Sequence, residues 1–418
     1  MSWQTVLGFE VHIELSTNTK MFCACPADHF GKSANTQVCP VCLGLPGSLP
    51  VPNARAIESC IKLGLALGCK VNLKSKFDRK NYFYPDIPKG YQISQYDQPF
   101  CYGGLLLGHK ITRVHLEEDT AKLQHQKSET WIDFNRSGVP LVEVVTEADF
   151  SSSTESDEFL KELQAIVRTL EISTADMEKG SMRLEANISV KRPDYPGLPD
   201  YKVEIKNVNS FRFIKKAIDF EVSRQINVLE SGVNPIQETR GFKENTGETF
   251  SQRAKEEAHD YRYFPDPDIP PLEFTQSQIS IWRRELPELP AQKRLRLIQL
   301  GLTATTAAIL VDSSIRYAKF TELSANHDPI DVAKLLVNLP EDKVSDASIN
   351  RSIDTLNNSE AEIRDAAIKV IADNPKAVTD IKSGKSQVIF FLIGQIKKEL
   401  GDVDVSLTQK IIDEIIKS

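Results

Sequence analysis

Two kinds of residue in this sequence carry chemistry. The first is a set of thiols: Cys23 and Cys25 form C-x-C, Cys39 and Cys42 form C-x-x-C, and the stretch between them is rich in Asp, Gly, Ser and Asn. Two short-range thiol pairs joined by a turning loop match a tetrahedral four-thiolate zinc site, each pair reaching two corners of one ion. Such a site has no open position, so it would pin a long loop and bind no substrate. Disulfides are the competing use of these thiols. The start of the chain lacks a basic stretch followed by an apolar one, so a cytoplasmic, reducing location is expected and disulfides are disfavoured. Cys60, Cys69 and Cys101 have no partner at metal spacing and are expected to be core or surface thiols.

The second kind is a series of carboxylates set in apolar runs. Glu10 and His12 share one side of an alternating stretch, because successive side chains of a strand point to opposite faces. Glu143 interrupts Leu141, Val142, Val144 and Val145; Glu185 and Glu204 sit between apolar neighbours; Glu117 and Glu118 close another run. Buried alone, each would be costly. Sharing one pocket, they would repel until some took up protons, unless a cation neutralised the group. Oxygen-rich clusters with one imidazole suit Mg²⁺ or Mn²⁺. Solvated strand faces explain any single Glu equally well, but the whole set in apolar surroundings favours the pocket. Lys80 and Tyr82 open an aromatic-rich segment, 80–96, that could stack a base and pair phosphate charge, or simply pack as a loop. Arg183, Lys202 and Lys206 alternate with Glu185 and Glu204, as in a lined site or in cross-strand ion pairing.

The elements that must position these residues follow from periodicity. Strands are expected over Val6–Leu15, Ile111–Glu118, Trp131–Asn135, Val139–Val145, Arg183–Lys191 and Lys202–Val208. Helices are expected along the stripe Phe159, Leu163, Ile166, Leu170 and along Ile214, Ile218, Val222, Leu229, the latter ended by Gly232. Strands with interspersed helices indicate an α+β domain on an antiparallel sheet. The proline-rich residues 264–271 cannot continue a helix or a central strand and are expected to mark an exit from it. Beyond Glu285 helical stripes take over. The expected division is 1–290 for the α+β domain, 291–345 for a helical domain and 346–418 for a small helical tail.

Composition excludes several classes. The 418 residues, 40% hydrophobic and 26% charged, suit a soluble chain of two or three domains, with no apolar run near a bilayer span. A net charge of -7 argues against a general nucleic-acid binder and leaves room for a local RNA contact. Phosphate loops of the P-loop and Rossmann types and the G-x-S-x-G elbow are missing, and nothing in the sequence would make ammonia.

The stretches GFEVHIEL, CACP with CPVCLGLPGSLPV, KFDRKNYFYPDIPKGYQISQYDQP, HLEED, GVPLVEVVTE, KGSMR, VEIKNVNSFRFIKKAI and KEEAHDYRYFPDPDIPPL resemble the B subunits of the bacterial GatCAB amidotransferases, which act on Glu-tRNA(Gln) and Asp-tRNA(Asn). The resemblance runs over essentially the whole chain. It implies a cradle with a fold like glutamine synthetase, a helical domain and a tail that contacts misacylated tRNA, here through Lys382, Lys385, Lys397 and Lys398. It also implies ATP, Mg²⁺, Zn²⁺, ammonia channelled from an amidase A subunit, and a small C subunit. Glu10, His12, Glu118 and Glu143 match the metal positions, with Glu117, Glu185 and Glu204 as further candidates; Cys23, Cys25, Cys39 and Cys42 match the zinc ligands; Lys80, Tyr82, Arg183 and Lys206 fall around the nucleotide. Leu184-Glu185 stands where the family usually has Cys-Asp, Glu147-Ala148-Asp149 lacks a usual proline, and the region from Leu295 to Ile371 is short. The expected activity is ATP-dependent phosphorylation of the tRNA-borne carboxylate followed by amidation. The rival expectations are a non-catalytic, zinc-containing tRNA scaffold and a carboxylate–amine ligase acting on a small metabolite.

Overall fold

The computed structural model describes residues 2–254, 261–344, 360–383, 385–400 and 403–417. The chain divides into two compact units, Met1–Leu289 and Pro290–Ser418.

The first unit carries its strands in chain order as β1 (Gln4–Glu14), β2 (Lys70–Val71), β3 (Lys74–Ser75), β4 (Asp78–Asn81), β5 (Tyr91–Ser94), β6 (Cys101–Leu106), β7 (His109–Glu118) and β8 (Lys122–Gln126). They continue as β9 (Glu129–Asp133), β10 (Pro140–Thr146), β11 (Met182–Lys191), β12 (Val203–Val208), β13 (Glu238–Lys243), β14 (Glu248–Ala254), β15 (Phe264–Pro265) and β16 (Leu272–Glu273). Nine of them form one sheet in the order β14-β13-β12-β11-β1-β10-β7-β6-β2. Every pairing in it is antiparallel except β12 with β13.

The period-two alternation gives this sheet two unlike faces. Phe9, Val11 and Ile13 of β1, Val142 and Val144 of β10, Val114 and Leu116 of β7, and Leu184, Ala186 and Ile188 of β11 join one buried apolar cluster. Three helices share that cluster: α1 (Ala54–Ala66) through Ile57, Ile61 and Leu65, α2 (Ser153–Thr169) through Phe159, Leu163 and Ile166, and α3 (Phe211–Glu230) through Ile214, Ala217 and Ile218. Each begins at a side-chain cap, Asn53, Ser152 and Ser210, which satisfies backbone N–H groups that lack a helical partner. With helices on one face, the other is free to carry charge.

Two findings differ from the sequence expectations. Residues 264–271 do not leave the domain: β15 pairs with β4, Ile269 is buried in the core, and β16, which follows them, pairs with β3. Proline ends a central strand but is tolerated at an edge, where its missing N–H is not needed. The segment 80–96 is a hairpin: its ends lie in β4 and β5, and residues 82–90 form the loop between them. A fourth helix, α4 (Gln276–Arg284), closes the unit with a Thr275–Gln278 capping box.

In the second unit, α5 (Pro290–Gln299), α6 (Ala304–Asp312), α7 (Ser314–Leu323), α8 (Pro329–Asn338) and α9 (Glu341–Val344) surround Leu297, Leu310, Phe320 and Leu336. A separate core of Ile363, Leu392, Ile396 and Ile411 is shared by α10 (Glu360–Asp373), α12 (Ile389–Leu400) and α13 (Val405–Lys417), with α11 (Pro375–Lys382) between them. The expected boundary at Asp346 lies outside the described residues. Among the described residues no helix is long and apolar enough to cross a membrane.

Candidate functional site

Strand register assembles the site. Reading across the polar face, Arg183 of β11 stands opposite His12 of β1, His12 opposite Glu143 of β10, and Glu143 opposite His115 of β7. One pleat along, Glu185 stands opposite Glu10, with Arg113 in the same row on β7. Directly opposed residues on one face lie within side-chain reach. The result is a close cluster: His12 Nε2 is 3.5 Å from Glu117 Oε1 and 3.6 Å from Glu143 Oε2, and His115 Nε2 is 3.2 Å from that same Glu143 oxygen.

This polar face floors a cavity of about 1580 Å³ whose walls include Glu10, His12, Lys80, Tyr82, Arg113, His115, Glu143, Glu185, Glu204 and Lys206. Beside it, a chamber of about 430 Å³ brings in Glu117, Asp119 and Arg183 and shares His12, Lys80, Glu185 and Lys206. The β4–β5 layer supplies Lys80, whose ammonium lies 4.9 Å from the centre of the Tyr261 ring. Tyr96 and Tyr263 stack at 4.5 Å in another wall.

The charges shape one another. Burial would push the Lys80 ammonium down, but the charges of Glu117, Tyr263 and Glu143 hold it well above its ordinary value. Burial likewise opposes charge on His12, and the neighbouring carboxylates of Glu143 and Glu117 outweigh it and raise the imidazole. Glu143, though buried, is held well below the usual carboxylate range by His115 and His12. Burial pushes Tyr263 up to about 12. One carboxylate thus stays ionised between two imidazoles, with Glu117 at its side. His12, Glu117 and Glu143 offer one ligand atom each within 4.8 Å of one another, a set able to hold a divalent cation through oxygen and one imidazole.

The other sequence candidates divide by position. Glu10 accepts a hydrogen bond from Asn187 at 3.0 Å and lines the cavity. Glu185 and Glu204 also line it, both reached by Lys206, at 2.8 and 3.5 Å. Arg183 bonds Asp119 in the smaller chamber. Glu118 is not brought to this cluster. It follows Glu117 on β7, so alternation turns it the other way, where it is bonded by Lys89 and by the Ile93 amide at 2.9 Å. Sequence reasoning passed over His115 and Arg113, although HLEED contains the first. Their place on the polar side of β7, two and four residues before Glu117, was the available signal.

Glu118 instead faces the thiol loop. Cys23, Cys25, Cys39 and Cys42 bring their sulfurs within 4.8 Å of one another. Cys39 N–H donates to Cys42 Sγ at 3.1 Å, and the Lys20 ammonium lies 3.6 Å from the same sulfur. A hydrogen bond from Cys23 is the main cause that draws Cys42 down to about 4, while burial pushes Cys25 up to about 11. Four sulfurs at corners of one small volume form a set that a tetrahedral ion would fit. Cys60, Cys69 and Cys101 are buried in the apolar core. In the second unit Lys382 ends α11 and Lys397 and Lys398 sit in the last turn of α12, while Lys385 pairs with Asp380 at 3.0 Å. The residues 255–260, which open the KEEAHDYRYFPDPDIPPL stretch, lie outside the described residues.

Comparison with known families matches most of the chain. Residues 5–280 match the GatB/GatE catalytic domain and residues 330–416 match the GatB domain. The chain is 40% identical to the B subunit of the aspartyl/glutamyl-tRNA(Asn/Gln) amidotransferase of Persephonella marina, covering 100% of both chains. It is 40% identical to the corresponding protein of Thermotoga maritima, again over 100% of both, and 40% to that of Thermus thermophilus over 99% of each. This chain belongs to the family of aspartyl/glutamyl-tRNA amidotransferase B subunits. The Persephonella alignment spans 476 positions against 418 residues here, so the relative has residues at positions this chain lacks.

Proposed function

We propose that the chain is the carboxylate-activating subunit of a cytoplasmic tRNA-dependent amidotransferase, a carbon–nitrogen ligase complex that takes its nitrogen from glutamine. Its partners in this reading are an amidase A subunit that delivers ammonia, a small C subunit and the misacylated tRNA, Glu-tRNA(Gln) or Asp-tRNA(Asn). The first unit then works as a cradle of the glutamine synthetase kind: a mostly antiparallel sheet, helix-backed, with carboxylates lining its open face. The observation that carries the reading is the cluster of His12, Glu117 and Glu143, set between a side chamber and a cavity larger than the 300–1,000 Å³ or so usual for one small ligand, both lined by Lys80. Space for two reactants at one charged centre is what phosphoryl transfer to a carboxylate requires.

The donor set fits magnesium: two carboxylates and an imidazole, with Glu10, Glu185 and Glu204 adding negative charge nearby. Magnesium nucleotide, when bound, supplies the γ-phosphoryl group that converts the tRNA-borne carboxylate into an acyl phosphate, which ammonia then resolves to the amide with loss of phosphate. The chain's own residues do the positioning. Lys80 balances phosphate charge and Lys206 the charge of Glu185 and Glu204; Tyr82 and the stacked Tyr96 and Tyr263 present ring faces; Arg183 supplies a guanidinium fork. The thiols of Cys23, Cys25, Cys39 and Cys42 would hold Zn²⁺ and fix the loop that shares a small pocket with Glu118. Lys382, Lys385, Lys397 and Lys398 are the tail's tRNA contacts in this reading.

The test is reconstitution with A and C partners, ATP, glutamine and each misacylated tRNA. Amide product and ADP should form together and depend on magnesium. A complex that binds misacylated tRNA yet shows neither magnesium-dependent nucleotide binding nor amide product would overturn the proposal.

A further inference from the structure

The transverse row Arg183–His12–Glu143–His115 has two unlike ends. At the β7 end, His115 is 2% exposed and its Nδ1 has no hydrogen-bond partner; Arg113, on the same side of β7, has a buried Nε that is also unpartnered. Buried polar nitrogens without partners are costly, and the Arg113 Nε–H in particular is a donor that an anion would satisfy. At the β11 end, Arg183 gives Nη2 to Asp119, which is itself buried and held well below the usual carboxylate range, against its burial, by Arg183 and Arg136. Among the described residues the rest of the guanidinium carries no protein hydrogen bond, and it faces the chamber of about 430 Å³.

An acceptor carboxylate entering this site meets Glu10, Glu117, Glu143, Glu185 and Glu204 and needs a cation to hold it. Lys206 is spent on Glu185 and Glu204, and Lys80 balances phosphate charge in the reading above. Arg183 retains free N–H groups in a planar fork, the geometry that grips a carboxylate through two parallel bonds. It stands one strand away from His12, so a carboxylate clamped there lies within reach of a phosphoryl group at the metal cluster.

Resting on the function proposed above, we infer that Arg183, steadied by Asp119, is the residue that grips the acceptor's side-chain carboxylate, and that the nucleotide's phosphates lie on the His115 and Arg113 side of the cluster.

The experiment uses the reconstituted complex with Arg183→Gln, Arg183→Lys and Asp119→Asn, checked for folding by circular dichroism and for zinc content. Because the tRNA body masks the loss of one contact, acceptor-dependent ADP formation is read at saturating Glu-tRNA(Gln), beside magnesium-dependent binding of a fluorescent ATP analogue. Arg183→Gln should lower ADP formation by roughly 10- to 100-fold, the worth of a charged hydrogen-bonded pair. Arg183→Lys should restore part of it, Asp119→Asn should cost less than Arg183→Gln, and all three should bind the ATP analogue like the unsubstituted complex. Loss of analogue binding in Arg183→Gln matching its loss of ADP formation would assign the guanidinium to phosphate and overturn the inference. So would ADP formation unchanged by the substitution. If the unsubstituted complex itself binds no magnesium nucleotide, the parent proposal is what has failed.

Discussion

The nine-stranded sheet carries two buried ionic networks, and they are finished to different degrees. Toward its β14 edge, Glu221 of α3 is fully buried and accepts bonds from Arg224 Nη2 at 2.6 Å, Gln225 at 2.9 Å and Thr249 at 2.8 Å; Arg240 bridges on to Glu238 at 2.6 Å. Among the described residues, no atom of this group is buried without a partner. At the centre of the sheet, by contrast, His115 Nδ1, Arg113 Nε and Asn187 Oδ1 are buried without one, and Glu143 lies 3.6 and 3.2 Å from two imidazoles. A closed network has done its work once the chain is folded. An open one leaves unmet electrostatic demand, which a metal ion and a polyanion can satisfy.

The sharpest way to break this contrast is to remove one carboxylate from each network. In the reconstituted complex, Glu143→Ala should reduce amide formation by at least about 10³-fold, as loss of a metal-positioning and charge-bearing group does, with secondary structure retained. Glu221→Ala should leave turnover per folded molecule unchanged while costing about 1–3 kcal/mol of stability, because the buried Gln225 and Thr249 donors lose their acceptor and Arg224 and Arg240 keep only Glu238 as a carboxylate partner. Amidation rates beside urea unfolding curves decide it, and equal effects of the two substitutions on both readouts would erase the distinction.

Adjacent glutamates on β7 refine the same comparison. Glu117→Gln should abolish magnesium-dependent nucleotide binding; Glu118→Gln should leave that binding in place and instead loosen the contacts to Lys89 and the Ile93 amide. The thiol cluster gives a further case, a network that an ion would close. Cys42→Ser should lower zinc content, measured by mass spectrometry of the purified chain, and reduce stability by several kcal/mol, since metal binding is coupled to ordering of the loop. Zinc content equal to that of the unsubstituted chain would remove Cys42 from the ligand set.

A ligand test separates the two networks without mutation. Magnesium with ATP at about 100 times its dissociation constant should stabilise the first unit by about 2.7 kcal/mol, read as a shift of several degrees in melting temperature. The shift should vanish in Glu117→Gln and persist in a conservative Glu221→Gln. A shift that survives Glu117→Gln would move nucleotide binding elsewhere.

How much of this was legible depends on whether local pattern or pairing decides the outcome. Strand alternation put Glu10 and His12 on one face and Glu143 amid apolar residues, and β1, β7, β10 and β11 form close to the expected places. The four thiols could be grouped by spacing alone. Alternation also held the answer for Glu117 and Glu118, since neighbours on a strand cannot share a face, but a motif containing both gives no parity. His115 and Arg113 matter through what stands opposite them, Glu143 and Val145, and register is fixed by the hydrophobic face of the folded sheet and not by local sequence. The short edge strands β15 and β16 were hidden for a related reason. Their prolines argue against a central strand, and only the folded partner shows an edge available to receive them.

The smallest effect belongs to an ionic group at the surface, which bounds what exposure does to the comparison. Glu58 of α1 is bonded by Lys62 at 2.6 Å and Arg55 at 3.1 Å, and Lys62 reaches on to Glu285 at 2.8 Å, just past α4. Partial burial would raise the Glu58 carboxyl, but the hydrogen bond and charge of Lys62, with Arg55, lower it below its ordinary value. A carboxylate lowered on folding contributes stability that is present above the unfolded value of 4.5 and fades as pH falls through the folded one. Glu58→Gln should therefore cost about 0.3–1 kcal/mol near neutral pH, where exposure and salt screen the pair. The cost should shrink as the pH falls below 4.5 and through the lower folded value, where the native carboxylate also takes up its proton. Urea midpoints of both proteins from pH 3 to 7 measure this. A cost at neutral pH as large as that of Glu221→Ala would show that closure of a network, and not its burial, sets its worth.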